Sequence, residues 1–239
     1  MMLCDAEWLE RVLNRYSNEE LSPLVNLGAS THHFRTVEQP HIDRCVFAPL
    51  RARGVRVIHA DVKAAVGVDV VGDIYDPATL HALKAHAPRA VLCTHMLEHM
   101  EDRAALVERI LDLLSAGGLF FVTVPSSYHE HHDPIDTMYR PSPRELAALF
   151  DGHCILEESE LIGHTYWTLI RKRPLTLIGR HLGRFFIPFL GWAKWRRSMA
   201  KLYWLFQPYK VAAIVGRKGN AADASGGSPL RVTLTRPAS

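Results

Sequence analysis

At 239 residues, 48% apolar and 22% charged, the chain can bury one full α/β core, while two independent domains would be cramped. Its four cysteines, Cys4, Cys45, Cys93 and Cys154, stand far apart with no CxxC pair, which argues against a zinc ribbon or disulfide framework and for reduced thiols in the cytosol. The net charge of +3 hides a split: Leu161–Ala222 holds 12 Lys or Arg and no Asp or Glu, leaving 16 of the 28 basic residues to face all 25 acidic ones.

The opening stretch MMLCDAEWLERVLNRY has early acidic residues and no unbroken apolar run, so it reads as a short amphipathic helix and as neither a signal nor a transit peptide. Strand-sized apolar runs follow: PLVNLG, VRVIHAD, VDVVGD, RAVLCTH and GGLFFVTVP, then later HCILEESELIG and KVAAIVGRK. Near-continuous Val, Ile and Leu in such runs suits strands covered on both faces, as in a parallel sheet flanked by helices. Between them, Asp76–Ala87 opens on Asp-Pro, a cap followed by a first-turn proline. Asp102–Ser115 spaces Ala105, Ile110, Leu113 and Leu114 helically before Gly117-Gly118, and SPRELAALF carries a capping box of Ser142 and Glu145. The alternation predicts a doubly wound, Rossmann-like α/β fold with its ligand at the carboxyl ends of the strands. A single domain over 1–218 is expected, with 171–209 as a basic, aromatic insertion between the last two strands. The Gly-, Ser- and Ala-rich tail 219–239 is expected to be disordered.

Chemistry begins at LVNLGASTHHF, Leu24–Phe34, where an apolar run ends at Gly28 but Ser30 and His33 stand where a dinucleotide fingerprint would have glycine. A glycine there lets backbone approach a ligand closely, and it is also an ordinary turn residue. Asp61 closes the second run, where a carboxylate can accept both hydroxyl hydrogens of a ribose or cap a helix. Asp73 follows the third run, in place to accept from an adenine amino group.

The fourth unit, RAVLCTHMLEHMEDRAALVERILDLLSAGGLFFVTVP, resembles the class I S-adenosylmethionine-dependent methyltransferases, in particular a group with a Leu-Glu-His turn, then a helix, Gly-Gly and an apolar strand ending in proline. Leu97-Glu98-His99, Gly117-Gly118 and Val124-Pro125 occupy those places, and the match spans roughly Pro23 to Phe150. The resemblance implies a seven-stranded sheet with an antiparallel last strand and S-adenosylmethionine bound across the first strand ends. It places Asn26, Gly28, Ala29 and Ser30 near the methionine part, Asp61 near the ribose, Asp73 and Ile74 near the adenine, and His95 with Leu97 along the cofactor's inner side. The family's glycine-rich loop is here reduced to Gly28-Ala29-Ser30, and small residues still allow close approach to a cofactor without a pyrophosphate.

A sulfonium methyl is already activated, so the protein need only position the acceptor, exclude water and take up a proton. Histidine suits the last role near neutral pH. By family position the candidate is His99, whose competing and more ordinary reading is a structural hydrogen bond holding the turn. The loop SSYHEHHDPIDTMYRPSPREL follows the fifth strand and should arch over the acceptor. His131 and His132 are further candidate bases there, and His129, Asp133, Asp136, Tyr139 and Arg140 are candidate acceptor contacts, Tyr139 by stacking and Arg140 by its fork. Adjacent histidines without helical or strand spacing do not point to a metal. The loop also looks like methyltransferases found with bacterial surface-polysaccharide biosynthesis.

The insertion's longest apolar stretch, Phe185–Trp192, is too short to span a membrane. Broken apolar runs with Trp, Phe, Lys and Arg over 174–207 suit either a segment lying on an anionic membrane or a helical lid packed on the domain or a second subunit. Nucleic acid fits less well, because the apolar bulk exceeds what stacking needs. The expected protein is thus a cytoplasmic methyltransferase, docked peripherally at the inner membrane, that O-methylates a glycan, glycolipid or related small acceptor and forms, in the lid reading, a homodimer. The competing readings are a degenerate methyltransferase fold kept as a scaffold and a nicotinamide oxidoreductase, the latter lacking its glycines.

Overall fold

A computed structural model describes residues 1–129, 135–165, 167, 168, 171, 195 and 203–219, together with the backbone of 232–235. Helices α1 (Leu3–Leu13) and α2 (Asn18–Leu21) lead into strand β1 (Leu24–Leu27). Two π-helical turns, Phe34–Glu38 and Asp43–Phe47, then alternate with α3 (Pro40–Ile42) and α4 (Ala48–Ala52). Beyond them come β2 (Val57–Asp61), β3 (Val70–Val71), α5 (Pro77–Lys84), β4 (Ala90–Thr94), α6 (Arg103–Leu113), β5 (Leu119–Ser127), α7 (Pro143–Ala148), β6 (Cys154–Thr165), β7 (Pro208–Arg217) and β8 (Val232–Thr235).

The sheet runs β3-β2-β1-β4-β5-β7-β6-β8. Strands β1 to β5 pair in parallel, and β7 is antiparallel to both β5 and β6. This is the doubly wound sheet expected, with seven strands and an antiparallel seventh. The eighth strand is a departure. Within the tail expected to be disordered, Val232–Thr235 pairs in parallel with β6, Glu158 facing Val232 through Leu161 facing Thr235. Its Val-Thr-Leu-Thr run has strand-forming residues that the surrounding Gly and Ser obscure.

The apolar runs are continuous because the sheet is covered on both faces. In β5, Phe120, Val122 and Val124 join one core with α5, α6 and α7, while Leu119 and Phe121 join the other with α1 and α4. Strands β4 and β7 alternate in the same way. The helix starts follow the expected caps: Asp76 accepts from the Ala78 N–H, Asp102 from the Ala105 N–H, and Ser142 and Glu145 form the reciprocal box. Helix α1 buries Trp8, Leu9, Val12 and Leu13, and the Trp8 indole donates to Glu157 of β6 at 3.1 Å. The chain leaves β1 toward β2 and returns to the opposite side as β4, so a crevice opens at their carboxyl ends, where such sheets bind ligands.

Candidate active site

A cavity of about 800 Å³ occupies that crevice. Its first wall is the loop after β1. Gly28 takes φ +65° and Ser30 φ +54°, a left-handed path that brings backbone N–H groups toward neighbouring strands. The Ala29 N–H donates to the Ala60 carbonyl at 3.0 Å, and the Ser30 N–H donates to Asp61 Oδ2 at 2.7 Å. Beneath the loop the Asn26 amide meets His59 Nδ1 at 3.1 Å. Burial, and then the charge of Arg35, push the His59 ring down to about 4, so it stays neutral and accepts from Asn26.

The second wall is the turn after β4. His95 sits at φ +53° with its N–H donating to the Thr123 carbonyl at 2.9 Å. Its Nε2 contacts the Asp5 carboxylate of α1, and its Nδ1 lies 3.4 Å from Glu98 Oε1. Both acids are fully buried. Burial alone would lower the His95 pKa, but the charge of Asp5 and the bonds to both acids raise it; burial would raise the two acids, and the imidazolium holds both below their ordinary range. His99, one turn on, contacts the Ile135 carbonyl through Nδ1, and its Nε2 lies 4.0 Å from Glu98. Thr137 fastens the same turn from the loop after β5, its N–H and hydroxyl both donating to the Glu98 carbonyl at 2.9 Å.

The cavity collects most residues that the sequence placed at the cofactor. Asn26, Gly28, Ala29, Ser30, Asp61, Asp73, Ile74, His95 and His99 all line it. Leu97 does not: it is fully buried in the core beside α6. Asp136, Tyr139 and Arg140 also stand away from the lining. The Arg140 fork is closed on Asp136, with contacts of 2.6 and 3.1 Å, and the Tyr139 ring carries the Arg103 guanidinium 4.4 Å from its centroid. His129 stacks on Tyr128 at 4.2 Å, and it is Tyr128 that reaches the cavity. His131, His132 and Asp133, and most of the 171–209 insertion, lie outside the described residues. Among the described residues no group of three or more metal-ligating side chains occurs and no helix is long and apolar enough to cross a membrane.

Several site residues carried no signal in the sequence. Asp5 meets His95 across 90 positions, and Arg35 reaches the first loop from within the helical turns that follow it. Met1 and Met2 also line the cavity.

The lining fits S-adenosylmethionine. A cavity of this size accommodates a nucleoside with an amino-acid arm. The Asp61 oxygens accept one backbone N–H each, from Ser30 and Lys63, and each has a second acceptor site for a ribose hydroxyl. Sheet order, switch-point cavity and acidic strand ends together define a Rossmann-like methyltransferase architecture. A methyltransferase domain model matches residues 5–168, and the chain belongs to that family. It is accordingly a methyltransferase with S-adenosylmethionine as methyl donor. No curated protein sequence matches it.

Solved structures share the fold. Coclaurine N-methyltransferase, bound to N-methylheliamine and S-adenosylhomocysteine, is 14% identical with a TM-score of 0.53 over 88% of this chain and 72% of its own. A Galdieria sulphuraria protein assigned as a sarcosine dimethylglycine methyltransferase is 12% identical, TM-score 0.54, over 90% and 84%. The [4+2]-cyclase SpnF is 16% identical, TM-score 0.50, over 89% and 80%.

Proposed function

We propose that the chain methylates a hydroxyl oxygen of a small acceptor, a glycan or glycolipid, and that it belongs to the Leu-Glu-His group of its family. The observation that carries this reading is the convergence of Gly28, Asp61, Asp73 and Ile74 with His95 and His99 on one cavity. When bound, the cofactor supplies a methyl group already activated by its sulfonium. Asp61 accepts the ribose hydroxyls, Asp73 at the cavity mouth accepts from the adenine amino group, and buried Ile74 packs on the ring. Asn26, Ala29 and Ser30 border the amino-acid arm.

His99 takes the acceptor proton. With Nδ1–H donated to the Ile135 carbonyl, Nε2 is the nitrogen left to accept the proton, and Glu98 Oε1 lies 4.0 Å from it. Tyr128, backed by His129 and by Tyr209 at 4.6 Å, offers an aromatic face of the kind that packs on sugar rings. His131, His132 and Asp133 extend the same loop, and His131 or His132 is the alternative base.

Two substitutions separate a base from a fastener of the turn. His99→Asn keeps a donor for the Ile135 carbonyl, whereas His99→Ala removes it. As a base, both variants lose about 100-fold or more in turnover while affinity for S-adenosylhomocysteine holds. Near-normal turnover in the Asn variant alone would assign His99 to the turn. The tryptophan-rich basic segment 174–207 docks the enzyme on anionic membrane, supported by the 12 basic and no acidic residues of Leu161–Ala222. Binding to vesicles containing anionic lipid should disappear on deleting 174–207; retained binding, or loss of dimerisation instead, would refute the docking.

A further inference from the structure

Arg35 lines the cavity yet is only 4% exposed. Its Nη1 donates to the carbonyls of Ala29 and Ser30 at 2.7 and 2.8 Å, and its Nη2 donates to the Gly67 carbonyl at 2.7 Å. It thereby ties the loop after β1 to the loop after β2. A Cβ on Gly67 would stand 3.0 Å from Nη2 and 2.6 Å from His32 Cβ, so glycine keeps that carbonyl in reach.

All three acceptors are neutral. The carboxylates whose charge Arg35 feels are committed elsewhere. Asp69 accepts from the His59 N–H at 2.8 Å, Asp43 holds Arg51 at 2.8 and 3.0 Å, and Asp61 accepts from Ser30 and Lys63. Among the described residues no carboxylate forms an ion pair with Arg35. A guanidinium buried against carbonyls has lost its hydration with no carboxylate in contact with it, and an anion in the cavity would supply a direct partner. Across the cavity Asp5 and Glu98 enclose the His95 ring, and the N-terminal ammonium also acts on Asp5.

Building on the S-adenosylmethionine reading, we propose that Arg35 receives the carboxylate of the cofactor's amino-acid arm while it holds the Gly28–Ser30 loop. Three of a guanidinium's five N–H groups make the carbonyl bonds, and a carboxylate is the anion whose two oxygens fit a guanidinium edge. Sequence patterns for cofactor loops look for glycines and overlook this residue. In this chain a buried cation does the holding.

The test is calorimetric titration of the full chain and of Arg35→Met with two ligands, S-adenosylhomocysteine and 5′-methylthioadenosine, which lacks the amino-acid arm. The variant should bind S-adenosylhomocysteine at least tenfold more weakly while its affinity for methylthioadenosine changes less than threefold. An equal change for both, or none for either, overturns the inference and assigns Arg35 to the loop alone. Should the variant fail to fold, the unaltered chain still decides. Decarboxylated S-adenosylhomocysteine should bind it at least tenfold more weakly than the parent, and equal affinity overturns the inference. If the unaltered chain binds neither nucleoside, the cofactor reading itself fails.

Discussion

The loop leaving β1 and the turn leaving β4 face each other across the cavity, and each holds a non-glycine residue at positive φ, Ser30 at 54° and His95 at 53°. At β1 the chain is held by a cation: Arg35 grips carbonyls on one side while Asp61 takes the Ser30 N–H on the other. At β4 it is held by acids, Asp5 and Glu98, closed around an imidazole. Residues in this region of backbone space persist only where their surroundings over-determine them. The difference between the walls lies in charge. The β1 wall sets the buried Arg35 cation and the Asp61 carboxylate on either side of one loop, whereas the β4 wall packs the acids Asp5 and Glu98 around His95, with the N-terminal ammonium also acting on Asp5.

The largest effect should come from breaking the β4 wall. His95→Leu removes the cation that touches both buried carboxylates and should cost about 3–5 kcal/mol in urea unfolding, whereas Asp5→Asn, which keeps the Glu98–His95 pair, should cost about 1–2 kcal/mol. Equal costs would mean that the three groups do not act as a unit.

Breaking the β1 wall should act on binding more than on folding. Asp61→Ala removes the acceptor for the Ser30 N–H and for the ribose, so affinity for S-adenosylhomocysteine should fall about tenfold or more with a small change in Tm. Unchanged affinity would remove Asp61 from the site.

A smaller effect is a pH signature confined to the β4 wall. The folded pKa of His95 lies above its ordinary 6.5, so its stabilisation is complete below pH 6.5 and is lost as pH rises through the folded value. Asp5 and Glu98 are held below 3.8 and 4.5, so theirs is present above those values and fades on acidification. The cluster should therefore contribute most between about pH 4.5 and 6.5, with an alkaline decline of at most about 1.4 kcal/mol per pH unit that His95→Leu abolishes. Urea midpoints from pH 5 to 9 check it, and an identical pH profile in the variant would contradict it.

These comparisons also show what the sequence made legible. Strand positions, caps and the acidic strand ends follow from local patterns: Asp61 ends β2, and Asp76, Asp102 and Ser142 start helices as the spacing predicts. Those signals need only short-range chemistry. The supports of the site do not. Asp5 reads as one more acid of an amphipathic helix until α1 packs beneath the sheet and carries it to His95. Arg35 reads as a surface cation until the helical turns after β1 fold it inward. Arg140 shows the converse, since its fork suggests an anion contact but the fold closes it on Asp136 four residues away. The eighth strand was concealed by composition, because pairing with β6 is a tertiary property that a Gly- and Ser-rich flank does not announce.

The most direct test of the account is calorimetric titration of the purified full chain with S-adenosylhomocysteine and S-adenosylmethionine, with NADH as the control. Saturable binding of both sulfur compounds at one site, and none of NADH, is the expected result. A folded sample that binds neither, or that binds NADH instead, would contradict it.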